Sequence, residues 1–199
     1  MTASWRWERA YDVALGLSAI SWGGLGLFAA VERPLAVRVA LAGLNVVVGG
    51  LFLARREALT AGGPRAILAA LPSMLLGALA VRLADASWPA LAQGVFCAGA
   101  ALAVTSLLAL GRSFAFLPSR RELVVRGPYR WVRHPAYLGE LVMLAGCALA
   151  APRIGVPLAL ATALTLGLRI RAEESLLAQD AGWARYRERV RWRLVPFAY

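Results

Sequence analysis

The single histidine of the chain, His134, stands in the run Gly127-Pro128-Tyr129-Arg130-Trp131-Val132-Arg133-His134-Pro135-Ala136-Tyr137-Leu138-Gly139-Glu140. Gly127-Pro128 is a turn signal, and Pro135 suits the first position of a helix, where its missing N–H is not required. His134 is therefore expected at the mouth of a helix N-terminus. Free backbone N–H groups and the positive helix end there favour a carboxylate ligand. His134, Tyr137 and Leu141 share helical spacing and could line one face. A second polar run, Arg169-Ile170-Arg171-Ala172-Glu173-Glu174-Ser175, holds two adjacent carboxylates. Arg169 and Glu173 are four apart and can pair on a helix, while Glu174 points about 100° away. Such a run also suits a solvated, salt-bridged helix end, and a lone histidine is as compatible with a structural role as with a chemical one. No metal is expected. Zinc takes three or four His, Cys or carboxylate ligands, and one histidine with two separated cysteines, Cys97 and Cys147, does not assemble them. Both cysteines sit in apolar runs and read as buried packing residues.

A very apolar chain has to position these groups. Of its 199 residues, 60% are hydrophobic before glycine is added, above the ~45–50% of a soluble domain counted with glycine. That excludes a disordered chain, which lacks the apolar content to fold. A bilayer-spanning helix needs about 20 mostly apolar residues. Four stretches meet or approach this, Tyr11–Val31, Leu35–Leu53, Ala66–Leu83 and Trp88–Leu110, and two shorter ones follow, Tyr137–Ala151 and Ile154–Ile170. The connectors are brief and hold helix breakers: Glu32-Arg33-Pro34, Gly62-Gly63-Pro64, Ala84-Asp85-Ala86-Ser87 and Pro152-Arg153. The expected fold is all-α, a polytopic transmembrane bundle of about six spans ending in a helical hairpin that turns at Pro152. The first apolar run exceeds a signal-peptide core and further spans follow it, so no cleaved leader is expected. Gly23, Gly24 and Gly26 lie inside the first span, where they would permit close helix packing.

All 22 basic residues are arginine, against 11 acidic ones. Threading six spans places eighteen arginines on one side and four, Arg33, Arg38, Arg82 and Arg153, on the other. The positive-inside rule then puts both termini and the interval 111–134 in the cytoplasm of a plasma-type (inner) membrane. The charge forms a band beside lipid headgroups, so no nucleic-acid partner is expected. The tail alternates Arg185, Arg187, Arg189, Arg191 and Arg193 with Tyr186 and Trp192, a mixture suited to the headgroup zone. Glu140 is an ionisable group inside a span. Such residues are functional candidates by default, although one turn from the surface it could also snorkel.

Taken together, Leu110-Gly111-Arg112-Ser113-Phe114, then Gly127-Pro128-Tyr129, then Arg133-His134-Pro135-x-Tyr137-x-Gly139, then Arg169-x3-Glu173-Glu174 and a closing Tyr186…Pro196 resemble the isoprenylcysteine carboxyl methyltransferase family, part of which phospholipid methyltransferases share. The resemblance covers roughly 105–199. It implies an integral-membrane enzyme that uses S-adenosylmethionine without a Rossmann domain. It also implies two regions, four N-terminal helices over 1–110 and a catalytic part over 111–199. Carried over residue by residue, Gly127, Pro128, Tyr129, His134, Pro135, Tyr137, Leu138 and Glu174 would shape the cofactor pocket. Arg169 and Glu173 would be catalytic, with Arg169 orienting the methyl acceptor and Glu173 or Glu174 holding the ribose or sulfonium end. The implied partners are a lipid-like or prenylated acceptor and membrane lipids; no oligomeric state is implied.

The acceptor's chemistry is left open by the residues. A carboxylate is already ionised at neutral pH and needs an arginine that fixes it bidentately. An amine would arrive protonated and require a base, with Glu140, Glu173 or Glu174 nearest. The carboxylate is the expected acceptor, and phospholipid N-methylation is the alternative. A sterol-reductase-like membrane reductase and a non-catalytic scaffold are the readings from other classes.

Overall fold

A computed structural model describes residues 3–28, 33–55, 60–61, 63–84, 88–120 and 122–198. Glu32, Arg56, Gly62, Asp85, Ala86 and Ser87 of the expected connectors lie outside the described residues. Seven helices follow one another: α1 (Ala3–Phe28), α2 (Leu35–Ala54), α3 (Pro64–Leu83), α4 (Ala90–Leu110), α5 (Pro135–Ala150), α6 (Pro152–Leu177) and α7 (Trp183–Arg189). Proline opens α3, α5 and α6 at the first turn, where its fixed φ is already helical. Two-residue strands, β1 (Thr60–Ala61) and β2 (Ser119–Arg120), pair antiparallel and tie the α2–α3 connector to the one after α4.

Among the described residues, four helical segments are long and apolar enough to cross a membrane: Leu35–Ala54, Pro64–Leu83, Ala90–Ser113 and Pro152–Leu177. The other two expected spans differ. α1 has the length, but Asp12 and its glycines and serines dilute its apolar character. α5 has 16 residues, about 24 Å at 1.5 Å per residue, short of a ~30 Å hydrocarbon core. α6 has 26 residues, and does not end near Ile170 as expected. Its last turns carry Arg169, Glu173 and Glu174 past the start of α5, where His134 sits. Leu160, Leu164 and Leu168, four apart on α6, face outward, as a lipid-facing stripe does. Buried Thr162 and Ser106 donate to the carbonyls of Leu158 and Leu102 at 2.7 and 2.6 Å, so neither hydroxyl is left unsatisfied in an apolar setting.

α1 packs on α2, α4 on α5 and α3 on α6, while α2 also touches α4 and α5 touches α6. The α4–α5 seam is built on glycine. A Cβ on Gly99 would stand 2.5 Å from the Met143 amide nitrogen, and one on Gly139 would stand 2.6 Å from that of Ala103. Gly146 approaches Phe96 equally closely, at 2.8 Å. Above this seam Phe96, Ala100, Met143, Cys147 and Trp88 form the main apolar cluster. Cys147 is buried as expected, and Cys97 is only half-buried. On α1, Gly23 meets Ala42 at 3.1 Å, but Gly24 and Gly26 have nothing within 4 Å. The close contact lies instead at Gly16 against Gly49, whose added Cβ atoms would come within 2.9 and 2.6 Å of the opposite carbonyl.

Because the atoms facing Gly99 are backbone, an added methyl cannot be absorbed by a rotamer change. Gly99→Ala is expected to destabilise the detergent-solubilised protein by about 1–3 kcal/mol, read as a lower thermal midpoint. Gly94→Ala on the same helix, with open space around it, is expected to leave the midpoint unchanged.

Candidate active site

The site begins where α4 stops. Gly111 takes φ +52° and Gly127 takes φ +59°, a left-handed conformation that side chains rarely adopt. Gly127 leads a single 3-10 turn through Arg130, and Arg126 ties this segment to α4 through Nε to the Ala109 carbonyl at 3.0 Å. The chain then runs extended through Arg133 and His134, and His134 caps α5, its carbonyl accepting from the Leu138 amide at 3.1 Å. The tail lies along this extended stretch like a strand. The Arg133 amide donates to the Trp192 carbonyl at 2.9 Å and the His134 amide to the Arg193 carbonyl at 2.8 Å. Arg133 Nη2 adds a bond to the Arg191 carbonyl at 3.0 Å, and the Tyr186 hydroxyl donates to the Tyr129 carbonyl at 2.8 Å.

The two runs singled out in the sequence meet here. His134 Nε2 lies 3.2 Å from Glu174 Oε1. A carboxylate only accepts, so Nε2 carries the proton of that contact. The same carboxylate receives Arg193 through Nε at 3.0 Å and Nη2 at 2.9 Å. Arg133 Nη1 stands 2.8 Å from its Oε1. That approach lacks hydrogen-bond alignment, so Nε and Nη1 of Arg133 have no hydrogen-bond partner among the described residues. Arg133 is 9% exposed. Burial pulls its guanidinium below the ordinary value against the opposing pull of Glu174, but arginine starts high enough to stay charged.

Glu173, one step round the helix, serves a different set. It accepts a close hydrogen bond from the Tyr137 hydroxyl and one from Arg169 Nε at 3.4 Å, and its Oε2 lies 3.9 Å from His134 Nδ1. The His134 and Tyr137 rings stack, 5.7 Å apart and 11° from parallel. The Arg169 guanidinium sits over Tyr137 at 4.8 Å and donates through Nη2 to the Phe116 carbonyl at 2.8 Å. Its planar fork is therefore engaged on two sides, by Glu173 as the helical spacing anticipates and by the Phe116 carbonyl.

These groups edge a cavity of about 730 Å³, within the ~300–1,000 Å³ range of small-molecule sites. Tyr129, Arg133, His134, Tyr137, Arg169 and Glu173 line its polar end. Its body is mostly apolar, with Leu41 and Val48 from α2, Met74 and Val81 from α3, and Leu107 from α4, while Arg33, Asn45 and Arg82 also line it. Burial pushes the Tyr129 and Tyr186 phenols well above their usual value, so both face the cavity as neutral hydroxyls. Of the expected cofactor residues, Tyr129, His134 and Tyr137 line this cavity, while Gly127, Pro128, Pro135, Leu138 and Glu174 do not. Gly127 and Pro128 shape the turn, Pro135 is buried at the helix start, and Leu138 packs with Leu166, Ile170 and Leu194. Leu141 joins that cluster too, so the cavity face of α5 reads His134, Tyr137, Glu140, Leu144. Sequence reasoning assigned no role to Arg133 or Arg193. Nothing sets Arg193 apart among five tail arginines, and Arg133 was visible only as a motif member.

Residues 91–179 match the model of the Isoprenylcysteine carboxyl methyltransferase (ICMT) family. Over that stretch the chain is similar to the ICMT family. The matched segment starts in α4 and ends just past α6, so it contains both polar runs but not Arg193. No curated protein matches the chain in sequence. The fold is similar to a solved structure of the eukaryotic intramembrane Ras methyltransferase ICMT, determined without a monobody. The TM-score is 0.54 at 20% identity, covering 95% of this chain and 74% of that one. The chain is thus a helical, integral membrane protein with an ICMT-like fold.

Glu174→Ala removes the acceptor shared by His134, Arg133 and Arg193 and leaves Arg133 buried without its counter-charge. The expected loss is about 3–5 kcal/mol, measured as a fall in thermal midpoint. The same change on an Arg133→Met background is expected to cost at least ~1 kcal/mol less, and equal losses would show that the two charges are uncoupled.

Proposed function

We propose that this protein transfers a methyl group from S-adenosylmethionine to an apolar-tailed acceptor that enters from the bilayer. The observation that carries this reading is a cavity that is polar where His134, Tyr137, Arg169 and Glu173 converge and mostly apolar along α2, α3 and α4. A water-soluble cofactor and a lipid-like acceptor could meet there without either crossing an unsuitable medium. In this proposal both termini and the polar end face the cytoplasm, the side favoured by eighteen of the 22 arginines. Region 111–199 supplies most of the polar groups, and helices of 1–110 close the acceptor channel.

The donor set suits the cofactor. Arg133 offers a buried guanidinium Nε with no hydrogen-bond partner among the described residues, the kind of group that a ligand carboxylate satisfies, while its Nη1 is ion-paired with Glu174. Glu173 is the half-buried carboxylate at the cavity, placed to accept from ribose hydroxyls or an ammonium group and to offset a nearby positive charge. The stacked His134 and Tyr137 rings provide an aromatic wall. Glu174 acts behind them as a positioning residue, holding His134 and Arg133 through their contacts with its carboxylate. When bound, S-adenosylmethionine supplies a methyl group on a positively charged sulfur. For such a displacement the chain mainly has to align the reacting atoms and exclude water, worth several of the ~7–11 kcal/mol available to well-oriented reactions.

Calorimetry of the detergent-purified protein with S-adenosylhomocysteine tests the reading. Binding is expected for the wild type, weakened about tenfold or more in His134→Ala; an absence of binding at millimolar ligand would remove the methyl-transfer reading. Arg169→Lys is expected to lower turnover at least ~10-fold while leaving S-adenosylhomocysteine affinity within about threefold. An ammonium cannot bond Glu173 and the Phe116 carbonyl in one plane. Equal turnover would place acceptor alignment elsewhere.

A further inference from the structure

Glu140 has no task in the machinery described so far, yet it faces the cavity. It lies on the same face of α5 as Tyr137, three residues earlier, and Leu144, four residues later, so its carboxyl marks the boundary between the polar end and the apolar body. Its Oε1 lies 3.0 Å from the point where a Cβ on Gly77 would stand; the glycine of α3 leaves room for it. Among the described residues it has no hydrogen-bond or ion-pair partner within contact distance. The charged groups that act on it are Arg169, with opposite sign, and Glu173, with the same sign. An ionisable side chain inside a span, aimed at a cavity and left unpartnered, is costly to keep, and a cavity-facing one cannot be a snorkelling residue.

We propose that Glu140 is the general base for an acceptor whose nucleophile is a weakly acidic hydroxyl on an apolar tail, a long-chain phenol. This rests on the methyl-transfer reading above and names its substrate class. Three features of the site favour it. A carboxylate acceptor would bring a third negative charge beside Glu140 and Glu173, and the Arg169 fork that would clamp it is already engaged by Glu173 and the Phe116 carbonyl. An amine would arrive as an ammonium ion, whose charge must be desolvated to enter an apolar channel and which would approach Arg169. A phenol arrives neutral, with an ordinary pKa near 10, and its developing negative charge is stabilised by Arg169. In the transfer, the hydroxyl proton moves to a Glu140 carboxylate oxygen and the phenol oxygen's electron pair forms the new O–CH3 bond. The methyl–sulfur bond breaks with its pair remaining on sulfur, which becomes a neutral thioether. Protonated Glu140 then returns its proton to water through the polar end.

The test uses the full-length protein in detergent with dodecylphenol, dodecylamine and dodecanoic acid as probes. The wild type, shown by calorimetry to bind S-adenosylhomocysteine, is expected to methylate dodecylphenol from labelled S-adenosylmethionine in preference to the other two. Glu140→Gln is expected to keep its S-adenosylhomocysteine affinity, which also reports folding. It is expected to lose about 10²–10⁴-fold in rate on dodecylphenol, and far less on a nitro-substituted dodecylphenol that is already ionised at neutral pH. Independently of turnover, calorimetry on the S-adenosylhomocysteine complex is expected to show dodecanoate binding more tightly to Glu140→Gln than to the wild type, because a like charge has been removed. Preferred methylation of dodecanoic acid or dodecylamine by the wild type would overturn the proposal while leaving the methyl-transfer reading intact. A Glu140→Gln loss equal on the ordinary and nitro-substituted phenols would overturn the base role. Failure of the wild type to bind S-adenosylhomocysteine would instead remove the reading on which the proposal rests.

Discussion

One buried carboxylate holds the loop before α5, the tail and the end of α6 in register. Glu174, 9% exposed, gathers His134 from the start of α5, Arg133 from the loop before it and Arg193 from the tail. Two segments remote in the chain, Arg133-His134 at the start of α5 and Arg193 in the tail, are fixed relative to the end of α6 by a single side chain. The strand-like pairing of Arg133 and His134 with Trp192 and Arg193 reinforces it through backbone bonds. Neither set suffices alone, since the backbone pairing fixes the height of the tail and the charges fix its side-chain orientation. A buried charge network of this kind is a weak source of stability and a strong source of uniqueness, because any alternative docking strands an unpaired ion.

The neighbouring carboxylate, Glu173, is left for the cavity. Adjacent positions on a helix diverge by about 100°, so two acids can serve two environments, one sealed and one open. The cavity inherits the same division. Its polar end is assembled from connectors and helix ends, where backbone groups and charged side chains have partners, and its apolar body from mid-helix positions of α2, α3 and α4. That gradient follows from how helices sit in a bilayer, where polar groups collect at the ends. Glu140 stands at the turning point between the two regimes.

The glycines of the α4–α5 seam set how near those regimes can come. With backbone atoms less than 3 Å from where a Cβ would be at Gly99, Gly139 and Gly146, the two helices approach as closely as their main chains allow. Gly139, which belongs to the motif around His134, contributes to the site only through this approach. It lets α5 start against α4, so that His134 and Tyr137 reach the end of α6.

The sequence by itself determined the elements and their chemical potential. Apolar run lengths, proline starts and the arginine bias define a helical membrane bundle, and the types and spacing of His134, Tyr137, Arg169, Glu173 and Glu174 mark two polar runs. Local periodicity also anticipates the Arg169–Glu173 pair, because four residues span one helical turn. Only the tertiary structure decided what lies across the helix axes: that Arg193, one of five similar tail arginines, closes on Glu174; that the Arg169 fork is taken by the Phe116 carbonyl; that Leu138 and Leu141 face a packed cluster while Glu140 faces the cavity. The shortness of α5 was legible in its apolar run, whereas the reach of α6 to Leu177 was not, since a charged last turn held by partners from other segments does not look apolar in a linear reading. Propensity and periodicity act within one turn of helix, whereas these contacts join residues tens of positions apart through backbone carbonyls and buried charges that leave no local signature.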